Sequence, residues 1–395
     1  MTNNNDKKVL NVPHLRFPEF TEEWVNVSLK DVADFQKERI SSGLLDESTY
    51  ISTENILQNF QGVQSAISIP ANTNVVAYKK NDILLSNIRP YLKKVWFSDR
   101  IGGCSADVFV LRSKTCEPEF LYNVIASDKF INYVMSGAKG VKMPRGDKNQ
   151  MESFSFSIPA VVEQRKISRL FQLLDERIVT QNKIIEKYES LIQAIIYQKK
   201  TDGIRKGNWQ KTKLSKVLQE RTKKNINGYT ICSVSVSQGV INQIEYLGRS
   251  FAAKETSHYN VVKYGDIVYT KSPTGDFPYG IVKRSYIKNA VAVSPLYGVY
   301  KPINDNIGVI LHFYFMQSNN AFNYLHPLIQ KGAKNTINIT NARFLENSIP
   351  LPKIEDEAVY VANALTSIQT KIDIEKSLLR SYEKEKQYLL RQMFI

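Results

Sequence analysis

The chain has 395 residues, enough for about two or three domains that each bury a core of their own. Hydrophobic residues make up 43% and charged residues 23%, values typical of a globular protein, so the composition excludes a disordered or fibrous chain. The 53 basic residues outnumber the 38 acidic ones and give a net charge of +15, which points to a polyanionic partner.

The N-terminal residues are polar, and no apolar run reaches the roughly 18 residues of a membrane-spanning helix. We therefore expect a cytoplasmic protein with no membrane partner. Three cysteines are too few for a disulfide framework, and the four histidines are so widely scattered that no zinc-site spacing appears. The thiols are expected to be reduced and mostly buried, with no metal bound.

Residues 1–160 are predicted to form a first domain of mixed α/β structure. Short apolar clusters such as Ile83–Leu85 and Val108–Leu111 are bounded by turn residues, as strands are, and the pattern from Pro118 to Met135 is helical. The domain closes with Ser157-Ile158-Pro159.

Two loops of this domain carry side chains suited to a nucleic acid, since Lys and Arg bind phosphates and Arg, Lys, Asn and Gln recognise base edges. The candidates are Asn87, Arg89, Lys93 and Lys94 after one predicted strand, and Lys139, Lys142 and Arg145 in a glycine-flanked loop. A merely solvated basic side chain is the alternative for each.

A long helix is predicted at residues 161–200. Its apolar residues alternate at spacings of four and three, the heptad seam of a coiled coil, and no proline or glycine interrupts the seam. The seam consists of Ile167, Phe171, Leu174, Ile178, Gln181, Ile185, Tyr188, Ile192 and Ile195. A helix of about 38 residues is about 57 Å long. The alternative is an amphipathic helix packed only on its own domain.

A linker from Lys199 to Asn208, with two glycines and four basic residues, leads to a second mixed α/β domain at residues 204–350. This domain carries 19 basic and 7 acidic residues, so most of the positive excess lies here. Ile231–Val234 and Val291–Val293 are predicted strands, and Val309 to Leu325 is predicted to be helical.

Candidate contacts recur at corresponding places in the second domain. Lys271 and Ser272 directly follow a predicted strand, and Arg284 lies further along the chain. The other candidates lie in or beside a segment of alternating residues, which places Ile337 and Ile339 on one face and polar residues on the other. These candidates are Lys271, Ser272, Arg284, Lys331, Lys334, Asn335, Thr336, Asn338 and Thr340. A half-buried strand with a solvated polar face is the alternative.

A second long helix is predicted at residues 355–395, and its seam lies 194 residues after the first. The seam consists of Val361, Leu365, Ile368, Ile372, Glu375, Leu379, Tyr382, Lys386 and Leu389. The fifth seam position is polar in both helices. If the helices pair antiparallel in full register, Gln181 meets Glu375 and fixes the alignment; otherwise each points to solvent.

The two halves of the chain repeat one another in order. Trp24 matches Trp209, Asp82-Ile83 matches Asp266-Ile267, Gly137-Ala138-Lys139 matches Gly332-Ala333-Lys334, and Ser157-Ile158-Pro159 matches Ser348-Ile349-Pro350. Four collinear matches with little drift in spacing indicate a tandem duplication. Nucleotide-binding loops and metalloprotease or Cys-x-x-Cys motifs are missing from the sequence, which favours a recognition protein without chemistry of its own.

Further motifs sit at the boundaries of these segments. The first long helix opens with Glu163-Gln164-Arg165-Lys166-Ile167, the second ends with Leu389-Leu390-Arg391-Gln392-Met393-Phe394, and the chain opens with Leu15-Arg16-Phe17-Pro18-Glu19-Phe20 before Trp24. This organisation resembles the specificity (S) subunit of type I restriction-modification enzymes over nearly the whole chain. One departure is Ile354-Glu355-Asp356-Glu357-Ala358, where the first copy has Glu-Gln-basic-basic-Ile.

The resemblance implies two target recognition domains, each reading one half of a bipartite, asymmetric DNA site. It further implies that the two helices form an antiparallel coiled coil that separates these domains and sets the spacer. In this family the subunit is not catalytic. It docks two methyltransferase subunits, which methylate adenine with S-adenosylmethionine, and two restriction subunits add translocation and cleavage that require ATP and Mg²⁺. We therefore expect double-stranded DNA and these subunits as partners, and no cofactor in this chain.

Two other functions stay open at this stage. One is a stand-alone DNA-modifying enzyme with an unrecognised site. The other is a coiled-coil scaffold or adaptor whose basic face binds an acidic protein.

Overall fold

A computed structural model describes residues 10–331 and 337–395. The chain divides into two units, of which the first comprises residues 1–181 and 378–395 and the second residues 182–377. Both mix strands with short helices and contain segments of two long helices, so the predicted mixed α/β class is confirmed. The assignment of residues 1–160 and 204–350 as target recognition domains stays a prediction.

The first unit contains an antiparallel strand pair, two four-stranded sheets and short helices. Its strands are β1 (Val25–Ser28), β2 (Ala33–Phe35), β3 (Arg39–Ser41), β4 (Tyr50–Ile51), β5 (Asn74–Tyr78), β6 (Ile83–Ser86), β7 (Val95–Phe97), β8 (Gly102–Cys104), β9 (Val108–Ser113) and β10 (Ser155–Ile158). Its short helices are α1 (Leu29–Val32), α2 (Pro118–Ala126), α3 (Asp128–Ser136) and α4 (Lys148–Glu152). β1 pairs with β10, and the sheets have the orders β2-β9-β6-β7 and β3-β5-β8-β4.

The first long helix, α5 (Val161–Arg205), follows β10 and continues into the second unit. That unit contains β11 (Trp209–Lys213), β12 (Leu218–Glu220), β13 (Cys232–Ser235), β14 (Gly239–Asn242), β15 (Asn260–Val262), β16 (Ile267–Tyr269), β17 (Val282–Arg284), β18 (Val291–Val293), β19 (Gly298–Pro302), β20 (Gln330–Lys331), β21 (Ile337–Asn338) and β22 (Ser348–Pro352). Its helices are α6 (Gln243–Leu247), α7 (Asp305–Phe315), α8 (Ser318–Leu325), α9 (Asn341–Phe344) and the start of α10 (Glu355–Gln392).

The strand orders of the two units correspond. In the second unit β11 pairs with β22 as β1 does with β10, and the sheet β12-β19-β16-β17 has the order of β2-β9-β6-β7. In the first unit the helices α2 and α3 follow β9 along the chain, and in the second unit the helices α7 and α8 follow β19, the corresponding strand. The predicted tandem duplication is therefore confirmed at the level of topology.

One buried ion pair recurs in both units with a different donor strand. Asp82 and Asp266 each accept a backbone N–H three residues earlier, at 2.7 Å. Each also binds an arginine through both carboxylate oxygens, but Arg112 lies on β9 whereas Arg221 follows β12. The carboxylate therefore precedes corresponding strands, β6 and β16, whereas its arginine lies on β9 in one unit and directly after β12 in the other.

The seams of α5 and α10 are buried or half-buried at every predicted position. In the first unit, Phe171 of α5 packs on Phe394 with ring centroids 5.7 Å apart, and Asp175 pairs with Lys386 at 2.5 Å. Ile167, Phe171, Leu390 and Met393 belong to the same buried cluster as the core of the strands and short helices. The helices therefore stabilise this unit directly.

In the second unit the same two helices also contact one another. Glu189 Oε1 lies 2.6 Å from Lys376 Nζ, and Lys199 Nζ lies 4.7 Å from the ring centroid of Tyr360. In both units, rising residue numbers along α5 meet falling numbers along α10, so the pairing is antiparallel as predicted. A helix that packs only on its own domain is contradicted. Gln181 is buried in the first unit and Glu375 half-buried in the second, and their contact stays a prediction.

Helix α5 is longer than the sequence indicates. The sequence predicts that the helix ends at Lys200, where the predicted linker has begun, but the helix runs to Arg205. Gly203 lies inside this helix. A larger residue would not fit there, because a Cβ at this position would overlap the indole of Trp209. The glycine thus makes room for a buried tryptophan and does not end the helix.

The three cysteines are unpaired and buried, as expected. Among the described residues, no helix is both long enough and apolar enough to cross a membrane. Within the same residues, acidic, cysteine and histidine side chains form no cluster of three or more that could hold a metal ion.

Candidate nucleic-acid interface

Backbone hydrogen bonds join the two candidate loops of the first unit. The N–H of Arg89 donates to the carbonyl of Pro144 at 2.8 Å, and the N–H of Gly146 donates to the carbonyl of Asn87 at 3.2 Å. The loop after β6 and the glycine-flanked loop therefore form one surface. We call residues 87–94 and 137–147 surface I.

A short hairpin forms the projecting part of surface I. Lys139 and Arg145 exchange backbone hydrogen bonds of 3.0 and 2.9 Å, which closes a loop of five residues. Gly140 takes a φ of +97°, a conformation that L side chains rarely adopt. The side chains of Lys139, Lys142 and Arg145 are exposed, so the hairpin presents three cations.

Carboxylates at the base of the hairpin pair with the two cations that close it. Arg145 Nη1 lies 3.0 Å from Asp107 Oδ1, and Lys139 Nζ lies 3.7 Å from Asp147 Oδ2. Both pairs are largely exposed and contribute little stability. Arg89 is also exposed, with a left-handed backbone at φ +52°, and no ion pair within the described residues involves it.

Two candidates of the first unit form contacts within the protein, and a third is half-buried. Lys93 forms an ion pair with Asp128, and the ammonium of Lys94 donates to the carbonyl of Thr53. Asn87 is half-buried, and its Oδ1 has no hydrogen-bond partner among the described residues. The contacts of Lys93 and Lys94 fix these two side chains against the protein, which leaves Arg89 and the hairpin to supply the exposed cations of surface I.

In the second unit, the strand β16 leads into a loop at residues 271–280. Lys271 is half-buried with φ +63°, and burial lowers the pKa of its ammonium group. Ser272 is exposed. The loop packs on α8 through Tyr279, whose ring centroid lies 5.3 Å from that of Phe322.

Arg284 is a wrong prediction as a surface contact, because its side chain is only 1% exposed. Its guanidinium lies between the rings of Tyr264 and Tyr286, 4.6 and 4.5 Å from their centroids, and pairs with Asp305. Its backbone N–H donates to Nδ1 of His312 at 3.2 Å. Burial lowers the pKa of His312 to about 3, so this imidazole is neutral and can accept.

The remaining candidates surround the hairpin of β20 and β21. Lys334, Asn335 and Thr336 lie outside the described residues, as do the side chains of Lys331 and Asn338. The hydroxyl of Thr340 accepts from the N–H of Arg343 at 3.2 Å and caps α9. The hairpin occupies the same place in the chain order as that of surface I, after two short helices and before another.

The sequence analysis did not identify two exposed aliphatic side chains at the tip of the surface I hairpin. Val141 is fully exposed and Met143 half exposed, at 49%, on either side of Lys142 at the hairpin tip. Their signal was present in the sequence, because Val and Met lie between Gly140 and Gly146 where polar residues are usual.

Comparison with known proteins relates this chain to specificity subunits of type I restriction enzymes. The family described as type I restriction modification DNA specificity domain matches residues 21–190. The type I restriction enzyme EcoDI specificity subunit of Escherichia coli is 24% identical over 187 residues, which cover 45% of this chain and only 42% of that subunit.

Two further proteins match nearly end to end. The MjaVIII specificity subunit of Methanocaldococcus jannaschii is 23% identical over 406 residues, covering 95% of this chain and 92% of that subunit. The crystal structure of a type I restriction-modification S subunit from M. genitalium superimposes with a TM-score of 0.61 at 12% identity, covering 97% of this chain and 99% of the other. The latter likeness establishes a shared fold.

Proposed function

We propose that this chain, whose resemblance to type I restriction-modification specificity subunits is confirmed by these matches, reads a bipartite, asymmetric DNA sequence, one half with each unit. Specificity subunits recognise DNA and leave catalysis to other subunits, so the chain itself is not an enzyme. The observation that carries the proposal is the repeated topology, in which each unit bears a hairpin at the same place between short helices.

Surface I has the chemistry that duplex DNA requires. Arg89, Lys139, Lys142 and Arg145 are exposed and lie on two segments joined by backbone hydrogen bonds. Lys and Arg supply phosphate contacts, and an arginine can also bind guanine through two hydrogen bonds. The second unit would read the other half through the loop at 271–280 and the β20–β21 hairpin.

The predicted recognition domains at 1–160 and 204–350 would be held apart by α5 and α10. The antiparallel contacts of these helices within each unit support that role. A paired length of about 57 Å corresponds to at most about 17 base pairs at about 3.4 Å each. The proposed site is therefore two short half-sites with a fixed gap.

The helices would also dock two methyltransferase subunits, which methylate adenine in each half-site with S-adenosylmethionine. Two restriction subunits, using ATP and Mg²⁺, would complete the enzyme. No cofactor is assigned to this chain. Its proposed location is the cytoplasm, in keeping with three unpaired cysteines.

Methylation mapping tests the function directly. The chain is co-expressed with its cognate methyltransferase, and methylated adenines are located across a genome. A split motif with a constant gap is the expected result. No motif, or a continuous one, would contradict the proposal. Exchange of residues 210–350 for those of another such subunit should then change one half of the motif only.

Neutralising surface I tests where the first half is read. Arg89→Gln with Arg145→Gln should weaken binding and reduce the slope of log affinity against log salt by about 0.9 for each phosphate that the protein no longer neutralises. Lys30→Gln is the matched control, because Lys30 is exposed on α1, outside surface I. An equal effect of the control would contradict the placement of the interface.

A further inference from the structure

The hairpin tip of surface I exposes apolar side chains that the charge argument does not use. Val141 is 101% exposed and Met143 49% exposed, and Lys142 stands between them. Burying an exposed apolar group is favourable by about 25 cal/mol for each Å² removed from water. A tip of this composition therefore gains from an apolar partner.

The hairpin keeps these side chains away from the unit's own core. Lys139 and Arg145 close it through paired backbone hydrogen bonds, Arg145 is tied to Asp107, and the backbone N–H of Arg89 donates to the carbonyl of Pro144. The Pro144 side chain is buried at the base. The tip is thus a supported loop on which Val141 and Met143 are exposed beside Lys142.

The surroundings of the tip favour DNA as its partner. Arg89, Lys142 and Arg145 are exposed cations that attract a polyanion. A two-stranded β-ribbon fits the major groove, which is about 12 Å wide, but not the minor groove of about 6 Å. In the major groove, the C5-methyl of thymine is the apolar group on the base edges.

We propose that Val141 and Met143 enter the major groove and contact thymine C5-methyl groups in the half-site read by the first unit. Lys142, Arg89 and Arg145 bind the flanking phosphates. The tip thereby adds sequence discrimination to a surface whose charges alone would bind any duplex. This inference rests on the proposed function and assigns it a base-reading contact.

The test uses the full chain co-expressed with its methyltransferase and the duplex identified by methylation mapping. Each thymine of the first half-site is replaced in turn by uracil, which lacks only the methyl group. At least one replacement should lower wild-type affinity about fourfold, the factor for burying one methyl-sized group. Val141→Ser combined with Met143→Ser should lose the same factor on the thymine duplex and become indifferent to uracil.

Two further variants separate this contact from other effects. Ile67→Ser removes an apolar side chain that is 90% exposed outside surface I, and it should leave affinity and the uracil response unchanged. Lys142→Gln should weaken binding to all duplexes alike and reduce the salt slope. Because Val141 is fully exposed and Met143 half exposed, the tip variant removes little packing, and thermal unfolding should change little.

The inference and the proposed function fail in different ways. A wild-type chain indifferent to every uracil, a first half-site without thymine, or a tip variant that keeps the uracil response would each overturn the inference. A split methylation motif would still support the proposed function in those cases. A tip that binds an acidic protein instead would leave DNA affinity unchanged in the tip variant, which also overturns the inference.

Discussion

Lys283 is a buried cation whose replacement by methionine should stabilise the second unit. The residue lies on β17 with its side chain 4% exposed, opposite Val268 of β16, and Val268 in turn pairs with Val299 of β19. Among the described residues, no carboxylate lies within ion-pair distance of its ammonium group. Burial alone lowers the pKa of Lys283 from 10.5 to about 8.

The pKa gives both the magnitude and its pH dependence. A depression of this size corresponds to about 3 kcal/mol of unfavourable interaction for the charged amine, at about 1.4 kcal/mol for each pKa unit. Below pH 8 the amine of Lys283 is protonated in both the folded and the unfolded chain, so the full cost of burying its charge lowers the stability. Between pH 8 and 10.5 only the unfolded state holds the proton, so stability rises with pH. Lys283→Met removes this cost, and its advantage should be about 3 kcal/mol at pH 7 and about 2 kcal/mol at pH 9.

Hydrogen exchange of peptides spanning β16 and β17 measures the effect within this unit. Rates normalised to the unfolded chain should fall roughly 150-fold at pH 7 in Lys283→Met, since each factor of ten is about 1.4 kcal/mol. Lys301→Met is the matched control, because Lys301 is exposed on β19 of the same sheet. Unchanged protection at pH 7, or a gain that is equal at pH 7 and 9, would refute the reasoning.

Three further predictions concern other interactions. Arg221→Met leaves the buried Asp266 carboxylate without its partner at 2.6 Å, and hydrogen exchange should report a destabilisation of about 3 kcal/mol, whereas a change below about 0.5 kcal/mol would contradict it. Phe171→Ala should cost about 3–5 kcal/mol in urea unfolding of the first unit, because the ring is fully buried; a neutral result would place the seam elsewhere. Hydrogen bonds from Ser48 and Thr49 lower the pKa of Asp46 to about 2, so this turn is stabilised above pH 4 and weakens as the pH falls towards 2; an NMR midpoint near 3.8 would contradict it.

The long helices could be predicted from the sequence because the heptad spacing is a direct consequence of helix geometry. Each seam position found by spacing is buried or half-buried, including the polar Gln181. The end of α5 could not be predicted in the same way. Gly203 reads as a helix breaker unless it is known that Trp209 packs against it.

The candidate site was harder to predict because exposure depends on contacts between distant segments. Lys93 and Lys94 look like free cations in the sequence, yet they are paired with groups 35 and 41 residues away. Arg284 is buried because Tyr264 and Tyr286 are brought to either side of it. Local sequence identifies which residues can bind phosphate, but only the fold decides which of them reach the surface.

The duplication also shows how one position can serve two partners. Glu163 and Glu357 correspond at the starts of the two long helices. In the second unit, Glu357 accepts from the indole N–H of Trp209 at 2.9 Å. In the first unit, Arg16 binds both oxygens of Glu163 at 2.7 and 2.8 Å, and the buried indole N–H of Trp24 has no partner among the described residues. A charged, two-point hydrogen bond is stronger than one from a single neutral donor, and in the first unit it is Arg16 that makes this bond to the glutamate. The first unit therefore ties its N-terminal segment to its long helix, whereas the second unit ties a tryptophan to the corresponding glutamate.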